Sequence, residues 1–354
     1  MTTRQQFLRA LSDTDAKPPV MEWMGWWPET VEAWTGKGLP EGADPYEHFG
    51  LSRPHYIPVA FNPRPPFEVR ILEEDADTRT VVDPTGVIKK EFKHGSAMPH
   101  YIEFPIRDRP TYEAYVERLD PDDHGRYPPN WPQMVEAWKT RDYPLGMIIR
   151  GPFAFGRDFV DFAELMMLYM DDTALMREIS ENHAEFTERL WTRAVTEVEV
   201  DYVVLGEDMA YKNGPMISPA QVREFCAPFY QRISGFLKRH GVGVIIVDSD
   251  GDMRPLLEIF LDSGITGVLP LEANAGVTPS EILRIADGRP VQMIGGIDKT
   301  KLAAGREAID AELDAKLPLI ERAAWIPSVD HSVPPDVSYD DYRYYLDALS
   351  DRLQ

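Results

Sequence analysis

Cysteine is almost absent. Cys226 stands alone in 354 residues, which excludes an internal disulfide and a thiolate cluster and suits a reducing cytoplasm. Positive charge is scarce too. Lysine and arginine number 37 against 59 aspartates and glutamates, a formal net charge of -22. Such a chain repels phosphate backbones and anionic lipid, so nucleic acid and membrane are poor partners. No apolar run approaches the roughly 20 residues of a membrane span. The segment Met1-Thr2-Thr3-Arg4-Gln5-Gln6-Phe7 has no apolar core of a signal peptide. The expected setting is the cytoplasm, and no low-complexity tract interrupts the chain.

Apolar residues make up 43% of the chain, enough for one large α/β barrel or two ordinary domains. Val244-Ile245-Ile246-Val247-Asp248-Ser249-Asp250-Gly251-Asp252 is the most telling stretch. Four aliphatic residues in a row predict a strand buried on both faces, as in a parallel sheet covered by helices. Three carboxylates and a glycine end it, and Met253 to Phe260 follows with helical spacing. The pattern recurs. Strands are predicted at Pro18–Met24, His55–Phe61, Gly146–Pro152, Asp201–Asp208, Thr266–Glu272, Pro290–Asp298 and Ala324–His331. Helices are predicted at Phe159–Tyr169, Ala174–Thr196, Arg306–Leu319 and Tyr339–Leu353. Ser218-Pro219-Ala220-Gln221 is a capping box that starts a further helix running to about His240, and Thr278-Pro279-Ser280-Glu281 has the same design. Between 67 and 105 the period changes to two, with a turn at Asp83-Pro84-Thr85-Gly86. The fold expected is therefore a single (β/α)8 TIM barrel over 1–354, with an antiparallel β insertion at 67–105 in its N-terminal part.

Most of the later strands end on ionisable residues: Arg150, Glu207 with Asp208, Asp248 with Asp250, Glu272, Asp298, and Asp330 with His331. A barrel gathers such ends round one mouth, where catalysis occurs. Each also has a plainer explanation. Asp248, Asp250 or Asp252 can cap the next helix, as can Asp298. Glu207 and Asp208 can be a solvated pair, and a loop carbonyl can hold His331. Trp23, Trp26 and Trp27 follow the first strand closely and form either one wall of a substrate pocket or plain core. Cys226 falls within a helix and is expected to be inert.

The order Gly151-Pro152-Phe153, Gly206-Glu207-Asp208 with Ile217-Ser218-Pro219, Asp248-Ser249-Asp250-Gly251, Gly295-Gly296-Ile297-Asp298 and Val329-Asp330-His331-Ser332-Val333-Pro334 resembles the uroporphyrinogen decarboxylase superfamily. That superfamily includes corrinoid- and coenzyme M-type methyltransferases. The resemblance runs from about residue 145 and implies a β/α barrel with its site at the C-terminal mouth. His331 matches the family's C-terminal histidine. The substrate-holding arginine of the family's first strand end is missing from Met21–Trp27, and its tyrosine falls at Asp158. The methyltransferases' zinc-binding His-x-Cys pair falls at Asp248 and Asp250, and their second cysteine at Asp330. The spacing persists while soft ligands have become oxygens.

The resemblance implies an enzyme that moves a methyl group from a small methylated or methoxylated substrate to a corrinoid, carried on a partner protein, or to a thiol. Glu207, Asp208, Asp248, Asp250 and His331 are the expected catalytic groups. Trp23, Trp26, Trp27, Arg150, Glu272 and Asp298 are expected to line the substrate. Asp248, Asp250 and Asp330 are candidate ligands for a divalent metal (Zn, Mg or Mn). The alternatives are a decarboxylase-like lyase and a non-enzymatic tetrapyrrole- or corrinoid-binding protein.

Overall fold

The structure, a computed structural model, describes residues 1–13, 16–94 and 98–353. In chain order its strands are β1 (His55–Tyr56), β2 (Arg70–Glu74), β3 (Thr78–Val82), β4 (Ile88–Phe92), β5 (His100–Glu103), β6 (Leu145–Arg150), β7 (Tyr202–Gly206), β8 (Ala210–Tyr211), β9 (Gly214–Pro215), β10 (Ile245–Asp248), β11 (Gly267–Leu269), β12 (Gln292–Ile297) and β13 (Ala324–Val329). Seven of them form one parallel sheet in the order β1-β6-β7-β10-β11-β12-β13. Strands β2 to β5 form a separate antiparallel sheet, and β8 and β9 a short hairpin.

Side chains alternate along each strand and sort into two cores. Tyr202, Val204, Ile246, Leu269, Ile294 and Ile326 face inward and meet Met21 and Trp23. Val203, Leu205, Ile245, Val247, Val268, Met293 and Trp325 face outward, into the larger core shared with the helices. The sheet is thus curled round a small apolar centre. The Thr3–Ala10 helix, started by a capping box at Thr2, seals one end of it. Phe7, Ala10 and Leu11 enter the inner cluster, Arg4 binds Asp201 at 2.8 Å, and Gln292 Nε2 donates to the Leu11 carbonyl at 2.9 Å. With the strands' N-terminal ends closed, their C-terminal ends are left to carry polar groups.

The antiparallel sheet follows the period-two stretch. Asp83 Oδ1 accepts the Thr85 N–H at 2.8 Å, and Gly86 takes φ 90, where a side chain would be strained. Val81 and Val82 are buried, while β2 and β5 are exposed along their whole length. Among the described residues no helix is long and apolar enough to cross a membrane.

The expected first strand, Pro18–Met24, shrinks to one isolated parallel bridge from Met21 to Ser52. Pro18 and Pro19 have no N–H to offer. The Trp23 N–H goes to Ser328 Oγ at 3.0 Å and the Met24 N–H to Glu22 Oε1 at 3.3 Å, so side chains take donors a ladder would need. The second strand stops at Tyr56, because Pro58 lacks a donor and the Ala60 N–H turns to the Arg126 carbonyl. The helix expected from Phe159 begins at Phe162, capped by Asp161, because Val160 is extended and bridges Ile106. The helix after Ser218 contains a π turn at Val222–Cys226.

Glu22 lies at the seam between this first segment and β13. It is 1% exposed. Its oxygens accept from Ser328 Oγ at 3.1 Å and from the Tyr342 hydroxyl at 3.2 Å. Burial, only partly opposed by these bonds, pushes its carboxyl up to about 8. The folded state therefore keeps a proton that the unfolded chain releases near 4.5. The stabilisation is full below that value and is lost as pH rises towards 8, by up to about 4 kcal/mol from linkage. In urea titrations, Glu22→Gln should match the native protein near pH 5 and exceed its stability at pH 8. Parallel curves at both pH values would contradict this.

Candidate active site

The C-terminal ends of β7 and β10 bring three carboxylates together. One oxygen from each of Asp208, Asp248 and Asp250 lies within 4.8 Å of the others. Asp248 shares the inward parity of Ile246. Asp208 reaches the same space differently, by taking φ 45 just after the strand. That left-handed conformation is tolerated by aspartate more readily than by most residues. Arg157 holds it there, with Nη1 donating to the Asp208 carbonyl at 2.8 Å and Nη2 to its carboxylate at 2.9 Å. His331 Nε2 stands 3.4 Å from Asp250 Oδ2.

The electrostatics follow from this crowding. Burial, followed by the like charges of Asp208 and Asp250, pushes the Asp248 carboxyl up to about 7, against the pull of Arg150 and His331. Among the described residues no hydrogen-bond donor reaches that carboxylate. Donating a hydrogen bond to the Asp250 carboxylate holds the His331 imidazole above its usual range, opposed by burial. Burial and then Asp248 push the Tyr56 phenol up, so Tyr56 belongs to the same neighbourhood.

A second group adjoins the first. Lys299 Nζ lies 3.4 Å from both Glu272 Oε1 and Asp330 Oδ1. Glu272 Oε2 accepts the Gly251 N–H at 3.0 Å and so fixes the loop that carries Asp250. Asp330 is 0% exposed. Its oxygens accept the Ala273 N–H at 2.9 Å and the Lys299 N–H at 3.0 Å. Burial pushes its carboxyl up, countered first by Lys299.

Several expected site residues stand elsewhere. Asp330 is committed to these backbone bonds, and Asp208 takes its expected place beside Asp248 and Asp250. Glu207, 0% exposed, has the outward parity. It accepts the Ala154 N–H at 2.9 Å and the Tyr230 hydroxyl, and burial pushes its carboxyl up to about 7. Asp298 caps the Lys299–Ala303 helix through Thr300, at 2.8 Å. Arg150 is held by Asp158 through two bonds of 2.9 Å. The three tryptophans diverge. Trp23 joins the inner core, 5.3 Å from the Tyr202 ring. Trp26 packs between Tyr46 and Tyr342, and Trp27 is 41% exposed at a helix start. They form no common wall. Cys226 is buried.

Lys299, Arg157 and Tyr56 were missed by sequence reasoning. Lys299 had a signal, since it follows a strand ending in Gly295-Gly296-Ile297-Asp298. Arg157 lies one turn inside the helix after Gly151-Pro152, where nothing local marks it.

A family model described as uroporphyrinogen decarboxylase (URO-D) matches residues 91–352. Among solved structures, a methyltransferase from Methanosarcina mazei superposes with a TM-score of 0.62 at 17% identity, covering 100% of this chain and 98% of that one. At that identity the likeness is one of fold. A putative vitamin-B12-independent methionine synthase from Listeria monocytogenes matches with a TM-score of 0.36 at 15% identity, over 62% of this chain and 69% of that one. No curated protein matches the sequence.

Because burial and then like charges hold the proton on Asp248, removing one like charge should weaken that hold. Asp208→Asn and Asp250→Asn should each lower the Asp248 titration point from about 7. Arg150→Met, which removes a cation, should raise it. Carboxyl 13C NMR titration reads all three, and a midpoint unchanged in both Asn variants would refute the coupling.

Proposed function

Since the chain belongs to the uroporphyrinogen decarboxylase family, we propose that it is an enzyme transferring a methyl group from a small methylated or methoxylated substrate to a corrinoid or thiol acceptor. The observation that carries this reading is the Asp248 carboxyl, unpartnered among the described residues and within 4.8 Å of two further carboxylates. A methyl ether or methylated amine yields its methyl group readily only when the departing oxygen or nitrogen receives a proton. In the proposed step the carbon–heteroatom bond breaks and its electron pair stays on the heteroatom. That atom takes the proton of Asp248, while the methyl carbon bonds to the acceptor. The His331–Asp250 pair returns a proton to Asp248 from solvent. A positioned acid of this kind contributes about 10²- to 10⁴-fold.

The acceptor, a corrinoid on a partner protein or a free thiol, supplies the nucleophile. Cys226 is buried and does not. A thiolate-bound zinc does not fit this mouth, which lacks cysteine. In place of the Asp248 proton, the oxygens of Asp208, Asp248 and Asp250 would fit a hard divalent ion such as Mg²⁺, Mn²⁺ or oxygen-ligated Zn²⁺; with Asp248 then deprotonated, the ion and not the acid would polarise the departing atom. The family's decarboxylation of a polycarboxylate is less well supported. Arg150, Arg157 and Lys299 are each already paired with carboxylates. A closed eight-stranded barrel in one domain, with 67–105 inserted, belongs to the same reading. Met21 bridges Ser52 on one side and Trp23 bonds Ser328 on the other, as an eighth strand between β13 and β1 would. A cytoplasmic location goes with it.

The test is turnover of a panel of methyl ethers and methylated amines with reduced cobalamin or a thiol, followed by the spectrum of the methylated acceptor. Asp248→Asn should lower kcat at least 100-fold. In the native enzyme kcat should fall about tenfold per pH unit above about 7. Elemental analysis of protein purified without chelator decides whether an ion is held. Release of carbon dioxide from a carboxylated substrate without methyl transfer would establish a lyase. Stoichiometric tetrapyrrole binding without turnover would establish a binding protein.

A further inference from the structure

Glu207 and Asp208 are neighbours that face opposite ways. Asp208 joins the carboxylate cluster. Glu207 is enclosed between β7 and the helical layer, where it accepts from Ala154 N–H at 2.9 Å and from Tyr230. Ala154 lies in the first turn of the Pro152–Phe159 helix. One turn on, that helix carries Arg157, which holds Asp208, and Asp158, which holds Arg150. Gly151 makes the approach possible, because a Cβ there would lie 2.1 Å from the Glu207 carboxyl carbon. Tyr230 follows the π turn at Val222–Cys226, which sets the register of its helix.

We propose that Glu207 is a positioning residue, which fixes the Pro152–Phe159 helix against β7 and thereby sets both arginine–aspartate pairs at the mouth. It touches no reacting atom. Its carboxylate stops the helix sliding along the strand, and two consecutive helix residues transmit that restraint. Arg157 keeps Asp208 turned towards Asp248, and Asp158 keeps Arg150 beside it. The relevance of this to catalysis rests on the reading of the mouth as the active site. The restraint itself does not, so its test needs no turnover.

Hydrogen exchange of the Arg150 and Arg157 guanidinium protons, followed by NMR in the full-length protein, reads the restraint directly. Glu207→Ala should speed exchange at both arginines at least tenfold. Arg352, whose Nε binds Asp314 at 2.9 Å on the far helices, should be unchanged. Glu207→Gln keeps an acceptor for Ala154 and a partner for Tyr230, and should restore native rates. Tyr230→Phe, which removes one anchor and leaves the Ala154 bond, should give a smaller acceleration at both arginines, and it decides the matter if the alanine variant does not fold. Native exchange at Arg150 and Arg157 in the folded alanine variant, or in Tyr230→Phe, overturns the proposal. So does equal acceleration at Arg352.

Discussion

Acceptance of a neighbouring loop's N–H by a buried or half-buried carboxylate at a strand end is the interaction on which the mouth depends. Glu207 after β7 takes Ala154, which follows β6. Glu272 after β11 takes Gly251, which follows β10. Asp330 after β13 takes Ala273 and Lys299, which follow β11 and β12. A parallel sheet leaves its loops without ladder partners at these ends, and a carboxylate with two oxygens can join two such loops at once. Hydrogen bonds to charged groups are worth about 1.5–3 kcal/mol each. Three such junctions therefore hold the loops as firmly as a modest apolar cluster would.

The same device explains why the mouth carries so many acids and so few free charges. Most carboxylates at the strand ends are structural, and their charge is met by backbone dipoles or by Lys299. Asp208 and Asp250 are met by Arg157 and His331. Asp248 alone among them lacks a donor of its own among the described residues, and burial with its two acidic neighbours pushes its carboxyl up.

Strand positions and their ionisable ends were legible in the sequence because aliphatic runs ending in acids have few other uses. The parity of those ends was not, because β7 is apolar on both faces and Glu207 was expected at the mouth. Tyr202, Val204 and Gly206 alternate, which turns Glu207 outward, and Ile246 turns Asp248 inward. Asp208 ends on the side that alternation assigns it, but beyond the strand and through a left-handed backbone that no local pattern announces. The choice between Asp208 and Asp330 as third member of the cluster was likewise hidden. It depends on which carboxylate finds backbone donors, and those come from loops more than 30 residues away. The first segment misled because its apolar residues look like a strand, while its donors go to Ser328 and Glu22. The three tryptophans misled because closeness in sequence placed them on three different surfaces.

The lone thiol has a practical consequence. Cys226 is enclosed beside Tyr169, Tyr230 and Glu207, and that burial holds it protonated. Thiol-directed reagents therefore meet a silent background in the folded protein. A cysteine introduced on the exposed β8–β9 hairpin near the mouth, at Tyr211 for instance, would be the sole reactive handle. A fluorophore or spin label attached there would report changes at the mouth without first deleting a native residue.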